Sequence, residues 1–166
     1  MNTIALTLRG TRPLSALGTI CIAGVAGAAG DLLYAFTFYG LRGISPLRIL
    51  QSIGSGWFGR ASFDMGWLSA TAGFVSHFGI VIVAAAIYFF VARHWSLLVR
   101  RPWLSGFAFG TAVYVVMNFI VVPLSAAPHF QRSIETVLGE LTSHLFFVGV
   151  PVALIVRRYY GNSAQR

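Results

Sequence analysis

Apolar residues run in four long blocks along this chain, about 14–39, 67–91, 103–122 and 137–156, with polar residues gathered between them. Each block has about 20 residues or more, enough at about 1.5 Å per residue to cross about 30 Å of hydrocarbon. Membrane β-strands would appear instead as short alternating segments, and no such alternation is present. The pattern predicts an all-α membrane protein of four transmembrane helices forming one domain over residues 1–166. A fifth amphipathic stretch, about 45–62, lies between the first two spans. There Leu47, Leu50, Ile53, Trp57, Phe58 and Ala61 recur at helical spacing, the signature of a short interfacial helix.

The four spans read as two repeated hairpins. Arg12-Pro13 opens the first span and Arg101-Pro102 the third, while Ser76-His77 in the second is matched by Ser143-His144 in the fourth. The first half is longer by the segment inserted between its spans. Two copies with an even number of spans would run parallel about an axis along the membrane normal.

Composition agrees with lipid as the solvent: 57% of residues are hydrophobic and 10% charged, against about 25% charged in soluble domains. The net charge of +8 comes entirely from Arg. These residues flank the spans rather than forming a basic face, so nucleic acid is not an expected partner. Eight Arg lie at the termini and in the middle loop, and four in the first and third loops (Arg42, Arg48, Arg60 and Arg132). The positive-inside rule then places the N and C termini in the cytoplasm of a bacterial inner-membrane protein. Trp57 and Trp67 mark the outer interface, Trp95 and Trp103 the inner. Arg9, Arg12 and Ala26-Gly27-Ala28 resemble a signal peptide with its cleavage site. The apolar run continues through Phe36, however, and predicts a retained helix. Cys21 has no partner for an intrachain disulfide.

Each span carries a polar side chain that is costly in lipid: Asp31, His77, Asn118 and His144. Counted from the cytoplasmic Arg, all four fall at similar depth in the outer half. Small residues share faces with them, Gly24 and Gly27 beside Asp31, Gly73 beside His77, and Gly106-x-x-x-Gly110 below Asn118. Such residues let helices approach closely in lipid. They predict that the polar side chains point inward, and the same glycines admit packing against a second copy, a homodimer. Glu140 lies one turn from His144, within hydrogen-bonding reach.

Asp31, His77, Asn118, Glu140 and His144 are therefore the candidate ligand- or proton-binding residues. A small-molecule partner is not identified. An Asp–His couple can exchange a proton near neutral pH, and the same groups could instead only hold four helices in register. A metal site of Asp31, His77, Glu140 and His144 is a further reading. No cofactor is expected from a motif, but His77 and His144 occupy equivalent places in the two halves, as a b-type haem held by two His would require. No catalytic motif is present, so an enzyme is not expected. Gly54-Ser55-Gly56-Trp57-Phe58-Gly59 matches a dinucleotide-binding spacing but follows no strand. His94 and His129 read as solvated loop residues, and Ser76 as bonding back to its own helix.

The second half resembles the YagU-like family of bacterial inner-membrane proteins, through Trp103 with Gly106, the run into Pro123-Leu124, then Glu140, His144 and Arg157-Arg158. The resemblance implies an inner-membrane location and carries no catalytic residue.

Overall fold

The computed structural model describes residues 15–128 and 132–163. Four helices are long and apolar enough to cross a membrane: α1 (Ala16–Gly40), α3 (Trp67–His94), α5 (Pro102–Leu124) and α6 (Ile134–Gly161). Between them lie α2 (Pro46–Phe58), continued by a 3₁₀ turn over Gly59–Asp64, and the short α4 (Ser96–Arg100). No strand occurs among the described residues.

Helix starts follow from local chemistry. Ser15 Oγ accepts from the Gly18 amide, Ser45 caps α2 ahead of Pro46, and Ser133 Oγ accepts from the Thr136 amide. Each cap satisfies an amide that the first turn leaves unpaired. Both α5 and α6 run longer than their apolar blocks. In particular, α5 does not stop at Pro123 but passes through it to Leu124. The turn before each inner proline is widened. Residues Met117–Val121 precede Pro123 and His144–Gly149 precede Pro151, both as π-helix. There the Val122 amide donates to the Met117 carbonyl and the Val150 amide to the Leu145 carbonyl. Proline removes one ladder donor and crowds the preceding turn, which the π-turn accommodates.

The bundle is stitched by glycine. Gly24 and Gly27 of α1 lie against Ile82 and Val81 of α3. Gly106 and Gly110 of α5 lie against the backbone of Gly149-Val150 and of His144-Leu145 in α6. All four are used within the chain, so a second copy would have to meet another surface. Gly73 does not face another span; it meets the Leu50 carbonyl of α2.

The end of the bundle carrying α4 is packed mainly with apolar side chains. Ile20, Ala23, Ala85, Tyr88, Phe89, Val152, Ala153 and Val156 form a buried apolar cluster there. Large apolar side chains also cover the outside, with Leu17 at 72%, Leu33 at 70% and Phe119 at 70% exposure. Surface of this kind is at rest in lipid and not in water.

Segment α2 packs along α3 with Leu47, Leu50 and Ile53 of its apolar stripe half-buried. Its buried residues are Ile49, Gln51, Gly54 and Ser55, while Trp57 is 70% exposed. Gln51 Nε2 donates to the Gly66 carbonyl, Ser62 Oγ to the Gln51 carbonyl and Ser69 Oγ to the Ser62 carbonyl. Small and hydrogen-bonded groups turn inward beside Ile49, while Trp57 and Phe58 at the end of the stripe are left outside. Close backbone approach and interhelical hydrogen bonds of this kind hold helices together where the surround is apolar.

Candidate functional site

Three helices bring Asp31, His77 and His144 together. They lie nine or ten residues from the α2 end of α1, α3 and α6, about 13–15 Å deep at 1.5 Å per residue. Asp31 is the hub. Ser143 Oγ of α6 donates to Asp31 Oδ1 at 2.5 Å. His77 Nε2 is 3.8 Å from Asp31 Oδ2, and His144 Nδ1 is 3.9 Å from Asp31 Oδ1. The three side chains are 14%, 12% and 18% exposed.

Neither imidazole hydrogen-bonds the carboxylate, because those distances exceed hydrogen-bond length. The nitrogen that each ring brings near Asp31 donates elsewhere. His77 Nε2 donates to the Ala28 carbonyl at 3.0 Å, and His144 Nδ1 to the Glu140 carbonyl at 2.8 Å. Each ring therefore carries its proton on the nitrogen nearer Asp31. The expected contact between His144 and Glu140 is made through the Glu140 backbone, and the Glu140 side chain turns elsewhere.

That side chain belongs to a second polar layer nearer the α2 end, to which Asn118 also belongs. Tyr39 OH donates to Glu140 Oε1 at 3.0 Å, and Arg132 Nη1 to Glu140 Oε2 at 3.2 Å. Arg132 also donates to Asn118 Oδ1, while Asn118 Nδ2 donates to the Tyr114 carbonyl at 3.0 Å. Asn118 and His144 both sit in the π-turns, the second of which Gly110 closely approaches. The Tyr114 ring stands edge-on to His144 at 5.7 Å.

Outermost, Arg42 lies 3.8 Å from Glu135 and over the Phe38 ring, which in turn covers Gly139. Three of the chain's four carboxylates (Asp31, Glu140 and Glu135) thus descend one column along α1 and α6. Below Asp31 the column stops at Ala28, Val81 and Val148, all buried.

The four-residue metal set does not assemble, since Glu140 is drawn to Tyr39 and Arg132. Among the described residues no group of three or more His, Cys, Asp or Glu is placed to hold a metal ion. His94 ends α3 and is exposed; His129 lies outside the described residues. Ser76 does not bond back to its helix as expected. Its Oγ accepts from Trp57 Nε1 at 2.8 Å.

Sequence reasoning did not assign a site role to Ser143, Tyr39 or Arg132. Two of these had a usable signal. Ser143 is one turn beyond Glu140, and Tyr39 is two turns beyond Asp31 on the same helix face. Arg132 enters from a loop, where periodicity has nothing to say. Comparison with models of known protein families, with curated proteins and with solved structures found no match.

Proposed function

We propose that this chain is a multi-pass protein of the bacterial cytoplasmic membrane that binds and releases a proton at Asp31, between His77 and His144, in exchange with the α2 end. It acts without enzymatic chemistry. The Arg distribution supports cytoplasmic termini, which would turn the α2 end outward.

The observation that carries this reading is a carboxylate held deep in apolar helices with two imidazoles within 4 Å and neither hydrogen-bonded to it. A proton can reside on the Asp31 carboxylate, with Ser143 present to follow the change, since a hydroxyl both donates and accepts, while the ring nitrogens facing it already carry theirs. Intramembrane groups of this kind are the usual parts of proton relays. A b-type haem between His77 and His144 has weaker support. The site-facing nitrogens already donate to carbonyls, so ligation would fall to the opposite ones.

The test is infrared difference spectroscopy of the protein in nanodiscs during a pH change. A carboxyl band that titrates in the wild type and disappears in Asp31→Asn, with the melting temperature retained, is the expected result. An Asp31→Asn protein with the same titrating bands as wild type would sink the reading. So would a band-free wild type in which Asp31→Asn only lowers stability.

A further inference from the structure

We infer that Glu140, Tyr39, Arg132 and Asn118 form a polar latch that closes the Asp31 site toward the α2 end, and that Glu140 is the group whose release opens it. The inference rests on the reading of Asp31 as a proton site. It adds what controls entry to that site.

The geometry is specific. Both carboxylate oxygens of Glu140 are occupied, and by partners from different segments. Oε1 takes the Tyr39 hydroxyl of α1, and Oε2 takes Arg132, from the chain just ahead of α6. The same guanidinium nitrogen binds Asn118 of α5. One carboxylate and one guanidinium thereby tie α1, α5 and α6 together.

The tie lies between the site and the α2 end. Asp31, Ala35 and Tyr39 follow one another on one face of α1, so the latch stands about 12 Å from the carboxylate along that helix. On α6, Glu140 is one turn beyond His144 and accepts its Nδ1–H through the backbone carbonyl. In the other direction Ala28, Val81 and Val148 close the column with apolar groups. Along both α1 and α6 the groups that Glu140 holds stand between Asp31 and the α2 end.

The latch is also less deeply buried than the site it covers. Glu140 and Arg132 side chains are 26% and 31% exposed, against 14% for Asp31. A charge-assisted pair at that depth is held by its partners and not by tight burial, so removing a partner frees it. The remaining charged groups facing it are Arg42 and Glu135, which pair with each other farther out.

The experiment places a thiol between the two layers. In a Cys21→Ser background, Ala35→Cys is labelled from the α2 side with a charged, membrane-impermeant thiosulfonate, after helix content and melting confirm folding. Glu140→Gln and Arg132→Gln should each raise the labelling rate by about tenfold or more, the scale for losing one charged hydrogen bond. Tyr39→Phe removes a single hydroxyl with minimal risk to folding and should accelerate labelling less, by about threefold to tenfold.

Equal rates in the folded Tyr39→Phe and Glu140→Gln proteins and their parent would overturn the latch. The result is independent of the Asp31 titration. Faster labelling without a titrating Asp31 keeps the gate and removes the proton site. A titrating Asp31 with unchanged labelling does the reverse.

Discussion

The two Ser–His pairs of this chain have the same sequence and opposite duties. In α3, His77 turns inward to the Ala28 carbonyl and Asp31, while Ser76 turns outward to accept from Trp57 of α2. In α6, Ser143 is buried and donates to Asp31, while His144 bonds back to its own helix at Glu140. Adjacent helix residues diverge by about 100°, so a pair cannot present both members to one neighbour in the same way. Which member wins depends on how each helix is rotated about its axis. In α6 that rotation is altered locally, because the π-turn ahead of Pro151 begins at His144. The common outcome is an imidazole nitrogen within 4 Å of Asp31 from each half, reached by different routes.

Breaking the α6 side of this contrast should have the most severe consequence. A side chain at Gly110 would overlap the His144 carbonyl and the Leu145 backbone, neither of which can yield as a flexible side chain would. Gly110→Leu should cost about 3 kcal/mol and displace the π-turn. It is checked by thermal unfolding in detergent, with an unchanged midpoint counting against the packing described.

Exchanging the serines sharpens the comparison. Ser143→Ala removes a short bond to a buried carboxylate and should cost about 1–2 kcal/mol, the upper range for hydrogen bonds between helices in lipid. Ser76→Ala should cost about 0.6 kcal/mol or less. Parallel melting of the two variants decides it, and equal midpoints would mean that the pairs are interchangeable after all.

The mildest change is Trp57→Phe. It keeps an aromatic ring at a site that is 70% exposed and loses only the bond to Ser76. The melting temperature should stay close to wild type, while the indole signal that reports on Ser76 disappears. A fall as large as that of Ser143→Ala would give α2 a greater part in holding α3 than this bond accounts for.

The division between sequence and tertiary structure follows from these particulars. The number of spans, their approximate limits and the polar residue in each were legible, because bilayer thickness imposes length and apolarity on every spanning helix. The face that α1 shares with α3 was marked too, since Gly24 and Gly27, on the Asp31 side of α1, lie against Ile82 and Val81. The partners were not. Whether Glu140 meets His144 or Tyr39, and whether Ser76 or Ser143 reaches Asp31, depends on helix rotation, on widened turns before Pro123 and Pro151, and on a loop arginine. None of these has a period along the chain. The same holds for α2, whose apolar stripe was plain in the sequence. Its packed face of Gln51, Gly54 and Ser55 emerged only once α3 supplied carbonyls and a glycine to receive it.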